Sequence, residues 1–325
     1  MLYSYSLLYR ISRHRRFPIL RRSSVVFCVL FLLVFKASST FLTASLDSNA
    51  DGLVPWSLTD EGLYISQPQG LINPPRKYFI AAAVKKNKRW VCLHYDSRYF
   101  KFELNEGDRE RAIRYMLEAW LAFLEESKIQ SWIAHGTLLG WYWNAEPLPW
   151  DSDVDVQMFV RTMDSMSERF NGTSYEYTTS ENEARNYYLD VNPNFLYRSH
   201  EDRENVIDAR FLDMQTGLYI DITALAETDP IRHPNTISCK NNHRYLIDDI
   251  LPLQQKKLIG KHVYVPHKFE KVLQNEYSKT ALTNGQYMGY IFSVKDQKWL
   301  EEPVFRALNR RTYDIGNGST PEPVQ

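Results

Sequence analysis

Three aspartates recur at every second position in Pro149-Trp-Asp-Ser-Asp-Val-Asp155, and a fourth, Asp221, lies between two isoleucines in LYIDITAL (218–225). On a β-strand, alternate residues project to one side about 6.5–7 Å apart, so Asp151, Asp153 and Asp155 would form an acidic row. Asp221 would face opposite to its two core neighbours. Carboxylates this close repel one another unless a cation sits among them. Two from one strand and one from a neighbouring strand make an oxygen-rich site for Mg2+ or Mn2+, hard cations that keep positions open for phosphate oxygens. A cation there offsets charge on a phosphoryl group and orients attacking and leaving oxygens, so the chemistry expected is phosphoryl transfer. A merely solvated acidic strand face is the competing reading, and it expects no chemistry.

The neighbouring residues weigh against the solvated face. His135, Gly136 and Thr137 precede the row, and a Gly-Thr turn opening a helix can cradle phosphate on its backbone amides. Trp141, Trp143 and Trp150 flank the row as the walls of a cleft would. Trp150 reads either as a stacking surface for a base or sugar or as a core side chain. Arg210 shares a strand face with Asp208 in VIDARFLD (206–213) and either pairs with that carboxylate or meets the donor. His243 reads as a phosphate contact or proton donor, or as a surface histidine. Lys256, Lys257 and Lys261 form a diphosphate-binding edge or a solvated face.

These side chains need elements to hold them. KYFIAAAV (77–84) and RWVCLHYDSRYFKFEL (89–104) are predicted strands. Asn105 or Asp108 then caps a helix whose stripe Ile113, Met116, Leu117, Trp120 and Leu124 is core. A short strand over 131–135 leads into a brief helix, TLLGWYW, and the alternation from Asp151 to Val160 predicts a half-buried strand. Residues 161–200 read as a polar, irregular excursion. Residues 206–213 and 218–225 are a predicted hairpin with Gly217 at its turn, followed by a strand at HVYVP and a helix over 267–277.

The 325-residue chain has 39 basic and 39 acidic residues, but the first 36 residues hold seven Lys/Arg and no acid. The remaining body carries 32 basic against 39 acidic residues, which argues against nucleic acid as a polymer partner. The apolar run VVFCVLFLLVF (25–35) behind an arginine-rich tail predicts a secretory targeting element. It reads either as a cleaved signal peptide or as a signal anchor, the latter giving a cytoplasmic tail (1–22), an anchor (23–44), a stem (45–77), a luminal domain (78–313) and a frayed tail (314–325). Such an anchor expects a single-pass type II protein of the Golgi or ER membrane. In that compartment Cys92 and Cys239 are compatible with a disulfide or with two free thiols, and Asn171 and Asn317 open glycosylation sequons.

The strings GTLLG (136–140), PWDSDVD (149–155) and IDI (220–222) resemble the LicD/fukutin group, nucleotidyltransferase-fold proteins that transfer phosphate-linked groups onto glycans. HYDSRYF (94–100), WIAHGTLLGWYWN (132–144), DARFLDMQTGLYIDITAL (208–225) and CKNNHRYLIDDILPLQQ (239–255) are similar to fungal Golgi proteins associated with mannosylphosphate addition to mannan. The resemblance implies an α+β fold, a nucleotidyltransferase-like mixed sheet with flanking helices. It implies Asp153, Asp155 and Asp221 as metal ligands and Gly136 and Thr137 at the phosphates, with His135 in place of a smaller residue. It further implies GDP-mannose as donor and a mannan glycan as acceptor, leaving Asp151 nearest to take the acceptor proton. Two alternatives stay open: a non-catalytic partner of a Golgi glycosyltransferase, and a transferase of phosphocholine or polyol phosphate from a CDP donor.

Overall fold

The computed structural model describes residues 76–199, 202–227, 230–304, 306 and 307. The predicted tail, anchor, most of the stem, the C-terminal tail and Asn317 lie outside them. Among the described residues no helix is long and apolar enough to cross a membrane.

The chain opens with a hairpin of β1 (Ala81–Lys86) and β2 (Arg89–Asp96). Helix α1 (Glu106–Ser127) follows, its start capped by Asn105, whose side chain accepts from the Asp108 amide. Met116, Leu117 and Trp120 of the predicted stripe are fully buried, each contributing about 1.5–3 kcal/mol through removal from water. After β3 (Trp132–Ile133) come α2 (His135–Asn144), β4 (Val154–Phe159), α3 (Val160–Phe170), β5 (Thr173–Thr178) and β6 (Ala184–Val191). The hairpin of β7 (Ala209–Asp213) and β8 (Tyr219–Leu225) completes the central sheet.

That sheet has six strands in the order β3-β4-β8-β7-β6-β5, with β4 and β8 parallel and every other pair antiparallel. The expected irregular excursion over 161–200 is corrected: it supplies α3, β5 and β6. Its polar residues disguise period-two burial in β6, where Tyr187, Leu189 and Val191 are core. Phe211 stacks on Tyr187 and meets Trp120 of α1, so α1 covers the face that carries Phe211.

The opposite face carries charge. The register aligns Asp155 of β4 with Asp221 of β8, Asp221 with Arg210 of β7, and Arg210 with Asp190 of β6. Side chains paired across strands share a face, so one transverse row reads acid, acid, base, acid. Gly217 at the β7–β8 turn has φ of 84°, and a Cβ there would come within 2.9 Å of the Phe100 amide nitrogen. Only glycine meets both demands, and the close approach lets the Asp96 amide donate to the Gly217 carbonyl at 2.8 Å.

The chain continues through β9 (Thr236–Ser238), β10 (Arg244–Leu246), α4 (Ile247–Ile250) and the hairpin of β11 (Gln254–Leu258) and β12 (Lys261–Val265). It then forms α5 (Phe269–Tyr277) and a small sheet of β13 (Gln286–Tyr287), β14 (Tyr290–Ser293) and β15 (Lys298–Glu301).

Candidate active site

β4 begins only at Val154, so the predicted acidic row is divided: Asp155 stands on the strand, while Asp151 and Asp153 lie in the extended approach to it. A turn that joins the Asp151 amide to the Leu148 carbonyl at 3.0 Å folds this approach back. The aspartates converge all the same. Desolvation holds the Asp151 carboxyl well above the usual carboxylate range, and a hydrogen bond shared with Asp153 reinforces it. Desolvation also lifts Asp155 well above its ordinary value, with the charge of Asp153 as the next cause. Asp221 is buried and raised by desolvation, although Arg210 opposes the shift. Three carboxyls raised together in one place indicate a site short of positive charge.

That donor set, hard carboxylate oxygens only, suits Mg2+ or Mn2+. Among the described residues, however, no three His, Cys, Asp or Glu side chains stand as a ready-made ligand group. Two of the aspartates are turned to protein side chains. Asp221 Oδ1 accepts from Arg210 Nε at 2.9 Å, and Asp153 Oδ2 lies 3.2 Å from His94 Nδ1.

The helix preceding the row is α2, and its N-cap, Ala134, supplies no side-chain hydrogen bond. Gly136 lies directly against Asp151: a Cβ there would fall 2.3 Å from Asp151 Oδ2. Its place in the sequence therefore reflects the approach of a carboxylate as much as a phosphate cradle. Thr137 is buried, and its Oγ1 accepts from the Asp155 amide at 2.9 Å, tying the helix start to β4.

His135 takes a positive φ of 48°. Its Nδ1 lies 2.8 Å from Glu276 Oε2, and its ring centre is 4.4 Å from that of His243. Burial alone would lower its pKa, but the hydrogen bond and charge of Glu276 dominate and raise it to about 9. Gln157 Nε2 approaches the other ring nitrogen at 3.3 Å and would prefer a neutral ring. A full charge at 2.8 Å outweighs that longer dipolar contact, so the imidazolium is the resident form. Glu276 is correspondingly held below its ordinary range by His135 despite burial, and it accepts from the Tyr245 hydroxyl at 2.6 Å. Burial, aided by the His135 charge, lowers His243.

This pair predicts a pH effect in chelator. Because the folded-state pKa of His135 exceeds its unfolded value, the stability it adds is complete below about pH 6.5 and is lost as pH rises through about 9. The expected loss is on the order of 3 kcal/mol. Urea titrations across that range should show it in the wild type and not in Glu276→Gln; equal slopes in the two proteins would refute the pairing.

Other sequence expectations are revised. Arg210 does not pair with Asp208. Besides Asp221 it meets Asp96 at 3.2 Å, and its guanidinium lies 3.6 Å from the Tyr219 ring centre. Asp208 instead meets Arg198 and Lys240, each at 2.9 Å. Trp150 packs among Tyr287, Tyr290 and Trp299 of the C-terminal sheet, so its stacking partners are protein rings. Lys256, Lys257 and Lys261 are an exposed edge of the β11–β12 hairpin. Cys92 and Cys239 are free thiols, the first exposed on β2 and the second buried, in line with the two-thiol alternative and not with the disulfide. Asn171 is exposed at the end of α3.

The sequence reading missed Glu276, Gln157, Tyr245 and the run His94, Asp96, Arg98. Gln157 had a signal, since it continues the period of the aspartates. The His94 run lies inside one of the strings that carry the family resemblance, and Arg98 joins Asp96 at 2.8 Å and Asp190 at 2.6 Å. Glu276 had none, being far off in sequence on a different element.

Residues 128–268 match the LicD/FKTN/FKRP nucleotidyltransferase domain. The likeness to the LicD family is confined to that stretch. The matched stretch holds the four aspartates, α2 and the whole central sheet. Glu276 and the β1–β2 hairpin lie outside it. Two proteins of Saccharomyces cerevisiae are similar. Mannosyltransferase regulator 4 is 35% identical over 156 residues, covering 47% of this chain and 13% of that protein. Mannosyltransferase regulator 14 is 32% identical over 155 residues, covering 46% of this chain and 16% of that protein. The chain thus spans less than a fifth of the length of either relative.

Proposed function

We propose that the LicD-like domain transfers a sugar phosphate, mannosyl phosphate from GDP-mannose in the first instance, to a glycan hydroxyl within the secretory pathway. The observation that carries this reading is the pairing of Asp155 with Asp221 across the parallel strands β4 and β8, beside Asp151 and Asp153 in a site short of positive charge. Asp153, Asp155 and Asp221 would hold Mg2+ or Mn2+, which when bound supplies positive charge against the donor diphosphate. The acceptor oxygen bonds to the phosphorus next to the sugar as the bond to the bridging oxygen breaks, and nucleoside monophosphate leaves with that oxygen. The acceptor proton would pass to Asp151 in its ionised form, which the raised pKa makes a stronger base than an ordinary carboxylate. The start of α2, which has no side-chain cap, would face the phosphates, and the resident His135 imidazolium would add a second positive group on that side. The whole protein would be a type II Golgi or ER membrane protein.

A second reading is a regulator of a separate mannosyltransferase. It draws on the printed names of the two yeast proteins and on the engagement of Asp153 by His94 and of Asp221 by Arg210. A donor panel separates the readings. With divalent metal and a manno-oligosaccharide, release of GMP from GDP-mannose is the expected result, and release of CMP instead would move the cargo to phosphocholine or a polyol phosphate. Donor binding without release of either nucleotide, with and without partner proteins, would leave the regulator.

A further inference from the structure

Among the described residues, none covers one face of the β1–β2 hairpin. Ala83, Lys85, Trp90, Cys92 and His94 occupy alternate exposed positions on its two strands, with Ala83 paired to Cys92 and Lys85 to Trp90. Trp90 is 73% exposed, an unusual cost for the largest apolar side chain. The far end of the same face is His94, whose Nδ1 lies 3.2 Å from Asp153. Trp90 and His94 are four residues apart on one strand, so about 13 Å of open, small-residue surface runs from the aspartates to an exposed indole.

We infer that this face is the binding strip for the acceptor glycan, with Trp90 stacking on a sugar ring some way along the chain from the reacting hydroxyl. The inference rests on the glycan-acceptor reading above, and three features choose this occupant. The strip is continuous with the candidate site through the His94–Asp153 contact, as an acceptor chain must be. Ala83 and Cys92 are small, leaving the indole open to a flat partner that offers an apolar C–H face to a π surface and hydroxyls to Lys85. The apolar surface is one ring among Lys85, Lys88 and Arg89. A stable protein partner needs about 800 Å2 of complementary surface on each side, whereas a sugar needs only the ring and a few polar groups.

The test uses the full chain and an α-linked manno-oligosaccharide as probe. Trp90→Ala should weaken oligosaccharide binding about tenfold by calorimetry, and it should raise the acceptor KM by a similar factor with no matching rise in the donor KM. Trp90→Phe should recover most of the binding. Ile231→Ala, which truncates an even more exposed apolar side chain outside the hairpin, should change neither value. Unaltered oligosaccharide affinity in Trp90→Ala, or an effect on donor KM alone, overturns the strip and leaves the transfer reading standing. Weakened oligosaccharide binding in a protein that never releases nucleotide supports the strip and removes the transfer reading.

Discussion

Asp155→Asn is expected to lower transfer by about a thousandfold or more while the protein stays folded. The amide keeps the size of the carboxylate, and the Asp155 backbone bond to Thr137 does not involve the altered atoms. What is lost is one of the negative charges proposed to hold the metal ion. In chelator the variant should be more stable than the wild type at neutral pH. The reason is a matter of sign: a carboxyl whose folded pKa is raised adds stability below its unfolded pKa and loses it as pH rises through the folded one. At neutral pH, Asp155 therefore costs stability in the metal-free protein, and asparagine removes that cost. Adding Asp221→Asn should cause little further loss of activity, because ligands of one ion act as a unit. Turnover and Mn2+ affinity are measured together on the folded variants. Near-normal values for both would return the aspartates to the status of a solvated face.

Asp208→Asn should have the largest effect on stability, a loss of about 3–5 kcal/mol. Asp208 is fully buried; its Oδ1 accepts from Arg198 and Lys240, and its Oδ2 accepts from the Ala224 amide at 2.7 Å. Lys240 is itself almost fully buried. Neutralising the carboxylate leaves two cations inside the protein without their shared anion. Lys240→Met should be milder, since it removes a buried charge and keeps the volume. Urea unfolding followed by circular dichroism compares the two, and a cost below about 1 kcal/mol for Asp208→Asn would mean that the three charges are solvated. The cluster ties the segment after β6 to the end of β8 through Arg198, which also donates to the Phe195 carbonyl at 3.0 Å. A fold-wide loss of stability is therefore expected, not local fraying.

What could be read from the residues was whatever a short repeat encodes. The period of 3.6 in Ile113, Met116, Leu117 and Trp120 gave α1, and the caps and glycines gave its start and the β7–β8 turn. Alternation about Asp221 gave a strand with its carboxylate opposite the isoleucines, and the acidic spacing marked the candidate site. Where the polar and apolar periods were mixed, as over 161–200, periodicity failed, because β5 is an edge strand with no buried residue and β6 buries the polar Asp190 beside its apolar residues.

Which charge meets which was decided only by the tertiary structure. Asp208 and Arg210 are two residues apart and share a local period, yet strand pairing sets Arg210 beside Asp221, while Asp208 turns to Arg198 and Lys240. Glu276 reaches His135 across 141 residues, and His94 reaches Asp153 from a hairpin outside the domain match. Hydrophobic periodicity is a local property, dictated by the geometry of one helix or strand. Charge pairing is a property of register and packing between elements, and it exists only once the sheet has assembled.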